Sequence, residues 1–171
     1  MAKRAVASRQ LVPRPAPRPA PRSAPETYLL DVNVLIALAW PLHVHHTVAH
    51  AWFEAVGHKS WSTCPLTQLA FVRISSNPKI ISTAVSPRAA VQALGEMVTL
   101  EGHAFWADDL RVNDLASFTS NALVGHRQVT DAYLIELAKR HKGKVATLDT
   151  GLTDLLPQSE RTKYVAFVGA A

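Results

Sequence analysis

The sequence predicts an α/β domain built on an open sheet, and three stretches carry that reading. In Tyr28-Leu-Leu-Asp-Val-Asn-Val-Leu-Ile-Ala-Leu-Ala-Trp40 a short apolar run ends on a carboxylate and turns into a helical pattern. Tyr28 to Leu30 read as a buried strand, and Leu35, Leu38 and Ala39 recur at helical spacing, so Asp31 and Asn33 fall in the turn between. Lys144-Val-Ala-Thr-Leu-Asp149-Thr-Gly repeats the device, a short strand ending on an acid and then a turn. The third stretch opens a helix at Thr130-Asp131, with Thr130 as cap, Asp131 in the first turn, and Leu134, Leu137 and Ala138 as core stripe. In such a sheet the turns after strands lie at the carboxyl edge, where these folds place their ligands. Asp31, Asp131 and Asp149 are therefore candidates for one crevice. Three acids gathered there repel one another unless a cation offsets them, and hard divalent ions such as Mg²⁺ or Mn²⁺ prefer oxygen ligands.

A chain of 171 residues, 48% hydrophobic, buries one sizeable core rather than two. Its net charge of +5 suggests nucleic acid until it is divided by position. Residues 1–26 hold six of the 18 basic and one of the 13 acidic residues, so the remainder is formally neutral. That leading stretch alternates Pro with Ala and Arg and has too few large apolar groups to pack, so residues 1–26 are expected to form an extended basic tail and residues 27–171 the domain. A nucleic-acid arm, a targeting peptide, or a true start near Tyr28 are the readings open for the tail, and folding is expected not to need it. Cys64 is the single cysteine, which excludes an intramolecular disulfide, and no apolar run reaches membrane-spanning length. A cytoplasmic protein is the expectation.

Pro41 to His50 holds four of the eight histidines, and His46, His50 and Glu54 share a helical spacing that resembles a zinc site. Val48, Ala49, Trp52, Phe53 and Val56 form the buried stripe of that helix, which predicts that the three polar groups face solvent. Gly57 ends the helix, Ser60–Cys64 reads as the second strand, and Pro65 starts a helix on which Leu66, Leu69, Ala70, Arg73 and Ile74 fall on related turns. Ser86-Pro87 opens another helix with Val91, Leu94, Met97 and Val98 as apolar stripe. Ala104–Trp106 reads as a third strand and Asp108-Asp109 as a capped helix start. The polar loop Ser117–Val129 leads into Asp131 and offers His126 and Arg127 as substrate contacts. Lys139–Lys142 suits the helix end before Gly143, and Tyr164–Val168 is the last strand. No G-x-G-x-x-G or Walker loop occurs, which removes the usual nucleotide-cofactor readings.

Taken in order, Leu-Leu-Asp31-Val-Asn33, Thr-Cys-Pro-Leu-Thr-Gln68-Leu-Ala-Phe-Val-Arg73 with Ser-Ser-Asn-Pro, Gln-Val-Thr130-Asp131-Ala-Tyr-Leu and Ala-Thr147-Leu-Asp149 resemble a PIN-domain ribonuclease of the VapC toxin type over about residues 28–168. The resemblance implies a three-layer α/β/α sandwich with a mostly parallel sheet, and a Mg²⁺- or Mn²⁺-dependent endoribonuclease leaving a 5′-phosphate and a 3′-hydroxyl. It also implies a homodimer and inhibition by a cognate antitoxin. By position, Asp31, Asp131 and Asp149 match three of the family's acidic metal-site residues, and Asn33, Thr130 and Thr147 match supporting polar ones. The family commonly has a glutamate where Gln68 stands. An amide coordinates through oxygen, but it removes one negative charge and cannot act as a base, which implies weaker metal binding or lower activity.

The expected mechanism has Asp31 and Asp131 holding one divalent ion, with Asp149 helping directly or through water. Arg73, His126 and Arg127 are candidates for steering the RNA backbone, on position and charge alone. Two rivals come from other classes. One is a non-catalytic PIN-like module that grips RNA or protein, against which the joint presence of three acids speaks. The other is a zinc protein centred on His43–His50, which tight stoichiometric zinc would reveal.

Overall fold

The computed structural model describes residues 25–115 and 123–169. Most of the tail and residues 117–122 of the loop before Asp131 lie outside these. Five strands, β1 (Tyr28–Leu30), β2 (Trp61–Thr63), β3 (His103–Phe105), β4 (Lys144–Thr147) and β5 (Val165–Phe167), form one sheet in the order β3-β2-β1-β4-β5. Every neighbouring pair is parallel. Among the described residues six α-helices accompany them: α1 (Val32–Ala39), α2 (His46–Ala55), α3 (Pro65–Ser75), α4 (Pro87–Met97), α5 (Gln128–Arg140) and α6 (Gln158–Tyr164).

Alternation along the central strands divides the core into two layers. Leu29 and Val145 pack with Leu134, Leu137 and Leu152 on the α5 side, while Leu30 and Ala146 pack with Leu35, Trp61 and Phe71 on the α1–α4 side. With both faces covered, short strands read as apolar runs, which is why three residues of β1 sufficed to reveal it. The three-layer α/β/α sandwich follows. The strand order reverses direction between β1 and β4, so the loops leaving these two strands diverge and open a crevice at their carboxyl ends.

Several local expectations need correction. On α3 the buried residues are Thr67, Phe71 and Ser75, and Leu69 is 70% exposed. The two polar members are satisfied: Thr67 Oγ1 accepts from the Cys64 amide at 3.1 Å, and Ser75 Oγ accepts from Trp40 Nε1 at 2.9 Å. On α4 the core residues are Ala90 and Leu94, and Val91 faces out. Asp108-Asp109 opens no α-helix among the described residues; only a single 3₁₀ turn, Val112–Asp114, follows, and Asp109 instead pairs with Arg140 at 2.7 Å. Between Asp149 and β5, a 3₁₀ segment (Thr150–Leu155) and α6 stand where no element was expected.

His46 and His50 do not face solvent. Each is half-buried, with His46 Nδ1 2.8 Å from the Ala37 carbonyl and His50 Nε2 3.0 Å from that of Leu38. The last carbonyls of α1 have no intrahelical partner, and two imidazole N–H groups one turn apart on α2 supply them. The zinc reading loses its ligands to this packing, and Val48 and Val56, rather than the histidines, take exposed positions.

Helix α5 ends in a Schellman turn, with the Gly143 amide donating to Ala138 and the Lys142 amide to Lys139. The left-handed residue is Lys142 (φ 56°), not the glycine. Gly143 is needed for a different reason: a Cβ there would stand 2.5 Å from the Thr27 carbonyl oxygen and 2.8 Å from the Trp106 ring. Gly143→Ala is therefore expected to cost about 1–3 kcal/mol of unfolding free energy by forcing β4 away from the strand-edge residue Thr27. Urea denaturation checks it, and an unchanged midpoint would show that the backbone yields freely.

Candidate metal centre

Asp31 is the N-cap of α1 and lies directly beyond β1, 6% exposed. Its Oδ1 accepts from the Val32 amide at 2.6 Å. Its Oδ2 accepts from Thr147 Oγ1 at 2.8 Å and Asn33 Nδ2 at 2.7 Å. Thr147, the last residue of β4, is fully buried, and its hydroxyl also accepts from Asn33 Nδ2 at 3.1 Å and from the Asp149 amide at 3.0 Å. Asn33 closes the loop by accepting from the Leu148 amide at 3.1 Å. The ends of β1 and β4 are thus sewn together by one carboxylate, one amide and one hydroxyl. Asn33 and Thr147 both donate to the Asp31 carboxylate.

Asp149 caps the following 3₁₀ segment, its Oδ1 accepting from the Gly151 amide at 2.8 Å. Asp131 lies in the first turn of α5, as expected, but the helix begins at Gln128. Thr130 is consequently inside that turn and exposed, and not the cap; the Gln128 side chain instead accepts from the Val124 and Gly125 amides at 2.9 and 3.1 Å.

The acids sense one another. Burial pushes Asp131 up to about 6, with Asp31 and Asp149 adding like-charge repulsion. Burial also raises Asp31, against its three hydrogen bonds, and Asp149 raises it further. Among the described residues the ion pairs use Glu26, Asp109, Glu136, Asp154 and Glu160, and none reaches Asp31, Asp131 or Asp149. No three His, Cys, Asp or Glu side chains among the described residues are drawn together tightly enough to chelate one ion directly. The donors are all carboxylate oxygens around an uncompensated negative crevice, which suits a hard ion that keeps part of its water shell and does not suit zinc.

Gln68, on α3, is tied to the end of β2, its Nε2 donating to Thr63 Oγ1 at 2.9 Å, and it makes no hydrogen bond to the three acids. Arg73 is exposed in the last turn of α3 and lines a groove of about 600 Å³ with Leu69, Pro87 and Thr130. His126 and Arg127 form the exposed turn preceding α5. The residues that sequence reasoning missed are Thr63 and His103, whose side chains meet across β2 and β3 at 2.9 Å. The signal available was the short step from Thr63, at a strand end, to Gln68 in the next helix.

Comparison with known proteins places this all-parallel α/β/α domain in a family. The PIN domain family matches residues 28–155. "Ribonuclease VapC39" of Mycobacterium tuberculosis is 44% identical over 128 residues, covering 75% of this chain and 92% of that protein. "Ribonuclease VapC38" of the same organism is 42% identical over 134 residues, covering 78% and 93%. The solved "Structure of FitAB bound to IR36 DNA fragment" shares the fold with a TM-score of 0.57 at 17% identity, covering 84% of this chain and 96% of that one. This chain belongs to the PIN-domain family and, within it, to the VapC-type ribonucleases.

Proposed function

We propose that this chain is an endoribonuclease that depends on Mg²⁺ or Mn²⁺ and acts as the toxin of a VapBC-type pair. The observation that carries the metal dependence is the uncompensated crevice: Asp31 is locked by Thr147 and Asn33, and Asp131 is raised by burial and then by Asp31 and Asp149, with no ion pair to any of the three among the described residues. Asp31, Asp131 and Asp149 would hold the ion. Bound there, a divalent ion supplies Lewis acidity toward a phosphoryl oxygen and lowers the pKa of a water. The protein's part is orientation. Asn33 and Thr147 saturate one face of the Asp31 carboxylate, so the group cannot rotate, and the Thr147 hydroxyl holds the Asp149 backbone beside it. Arg73, exposed on α3, and His126 and Arg127, exposed in the turn before α5, are positive or protonatable groups suited to the RNA backbone. Mapping of cleavage on total cellular RNA with Mg²⁺, with Mn²⁺ and with chelator tests the reading, and cleavage that persists undiminished in chelator would overturn it.

Gln68 gives a second expected result. With Asp31, Asp131 and Asp149 ionised the crevice carries a formal charge of −3, and Gln68→Glu makes it −4. The half-saturating Mg²⁺ concentration is expected to fall several-fold in a titration of rate against Mg²⁺. An unchanged midpoint would place residue 68 outside the site.

Partners follow from the family and from the surface. The aromatic pair Trp52 and Phe53 is used internally, against Tyr28 at 5.3 Å and Trp61 at 5.5 Å. Apolar side chains left exposed include Leu42, Val44, Leu69 and Ile80. A homodimer and a cognate antitoxin are the expected covers for such surface. Light scattering at tens of micromolar protein is expected to give the mass of two chains, and a monomer would contradict it.

A further inference from the structure

Thr63 is the last residue of β2 and is fully buried, with its hydroxyl oxygen 2.9 Å from Gln68 Nε2 and 2.9 Å from His103 Nε2. An amide nitrogen only donates, so Thr63 Oγ1 accepts from Gln68, and its single hydrogen is left for His103. The hydroxyl oxygen could accept from both neighbours, but the buried O–H would then have no acceptor among the described residues; the arrangement that uses every group has His103 Nε2 accepting, with the ring neutral and protonated at Nδ1. The ring is wedged 4.5 Å from Trp61, and burial lowers its pKa, in keeping with a neutral imidazole. The Gln68 amide is thereby clamped by its nitrogen end, and Oε1 has no hydrogen bond to any described residue. Strand β2 neighbours β1, so the helix that carries Gln68 leaves the sheet one strand from Asp31 and at the same edge.

We propose that Thr63 and His103 are positioning residues: their relay holds the Gln68 amide nitrogen inward and leaves its carbonyl oxygen as a neutral donor toward the acid crevice. This rests on the metal-centre reading above. The relay runs one way for an amide and the other way for a carboxylate. A glutamate at position 68 has no hydrogen to give when ionised, so Thr63 would turn its own hydrogen toward it and His103 would have to supply Nε2–H instead. The identity of residue 68 is thus written in the tautomer of a ring two hydrogen bonds away.

Long-range ¹H–¹⁵N spectra of the metal-free full chain near neutral pH read this directly. The expected result is a lone-pair Nε2 and a protonated Nδ1 for His103, switching to protonated Nε2 in Gln68→Glu. A protonated Nε2 in the unsubstituted chain, or no switch in the variant, overturns the relay. Mn²⁺ binding followed by electron paramagnetic resonance supplies the functional arm. Thr63→Val, which is isosteric, is expected to weaken Mn²⁺ binding about tenfold, and Thr63→Ser to restore it. Binding by Thr63→Val equal to that of the unsubstituted chain overturns the positioning role. Asp31→Asn, measured alongside, separates the two levels: if it binds Mn²⁺ normally the metal-centre reading fails and the positioning role with it. If it loses Mn²⁺ while Thr63→Val does not, the relay alone fails.

Discussion

Asp31→Asn is expected to reduce RNA cleavage by at least about a hundredfold at saturating Mg²⁺ while the chain stays folded. The loss is chemical rather than structural because an asparagine keeps the capping oxygen for the Val32 amide, so α1 still starts where it does. It fails at the other oxygen. An amide nitrogen in place of Oδ2 would face Asn33 Nδ2, which now donates to it at 2.7 Å, and two donors would meet. Relief from burying a charge and this new conflict oppose each other, so little net change in stability is expected for Asp31→Asn. Circular dichroism and a cleavage assay run together decide the matter, and a variant that cleaves normally would move the centre elsewhere.

Asp131→Asn has no such conflict, and its effect on stability depends on pH. The carboxyl of Asp131 titrates near 6 in the folded chain, against about 4 when unfolded. Because the folded value is the higher, the metal-free protein loses stability as pH rises from about 4 through 6 and gains it on acidification. The shift corresponds to about 3 kcal/mol at face value, reduced to about 1 kcal/mol for a half-exposed group screened by solvent. In chelator, Asp131→Asn is therefore expected to melt with the unsubstituted chain near pH 4 and roughly 3 °C above it at pH 7.5. Taking the difference between the two proteins removes the histidines His43, His103 and His141, whose lowered pKa values act in the opposite direction. Saturating Mg²⁺ should reverse the order at pH 7.5, since only the unsubstituted chain gains binding energy. Parallel melting curves at every pH would show that Asp131 is not held in the crevice.

These expectations could be framed from the sequence because two of the three candidate acids stand just beyond strand ends. A carboxylate directly after an apolar run, as at Asp31 and Asp149, is legible wherever a parallel sheet is buried on both faces, since the strand's end is then sharply marked. Asp131 was legible for a second reason, its place in the first turn of an amphipathic helix. What stayed hidden was satisfied polarity. Thr67, Ser75, His46 and His50 look like solvent-facing residues because periodicity counts only apolar side chains, yet each meets a particular backbone or indole partner. Thr63 and His103 escaped for the same reason, compounded by distance: they are forty residues apart and meet only through strand register. The start of α5 was misplaced at Thr130 because a threonine before an acid imitates a cap, whereas the helix begins at Gln128, whose side chain ties down the preceding Val124 and Gly125 amides.

The bond between Thr147 and Asp31 joins residues 116 positions apart in the chain. Contacts of that separation are closed late, after the entropy of a long intervening segment has been overcome. On a ribosome, where domains fold as they emerge, β1 and α1 are made first with the Val32 and Asn33 partners of Asp31, yet the Thr147 hydroxyl cannot reach it until β4 has cleared the exit tunnel and docked beside β1. A nascent chain shorter than that holds the acid by its local partners alone. Cleaving capacity should consequently appear abruptly, near the end of synthesis, rather than grow with chain length.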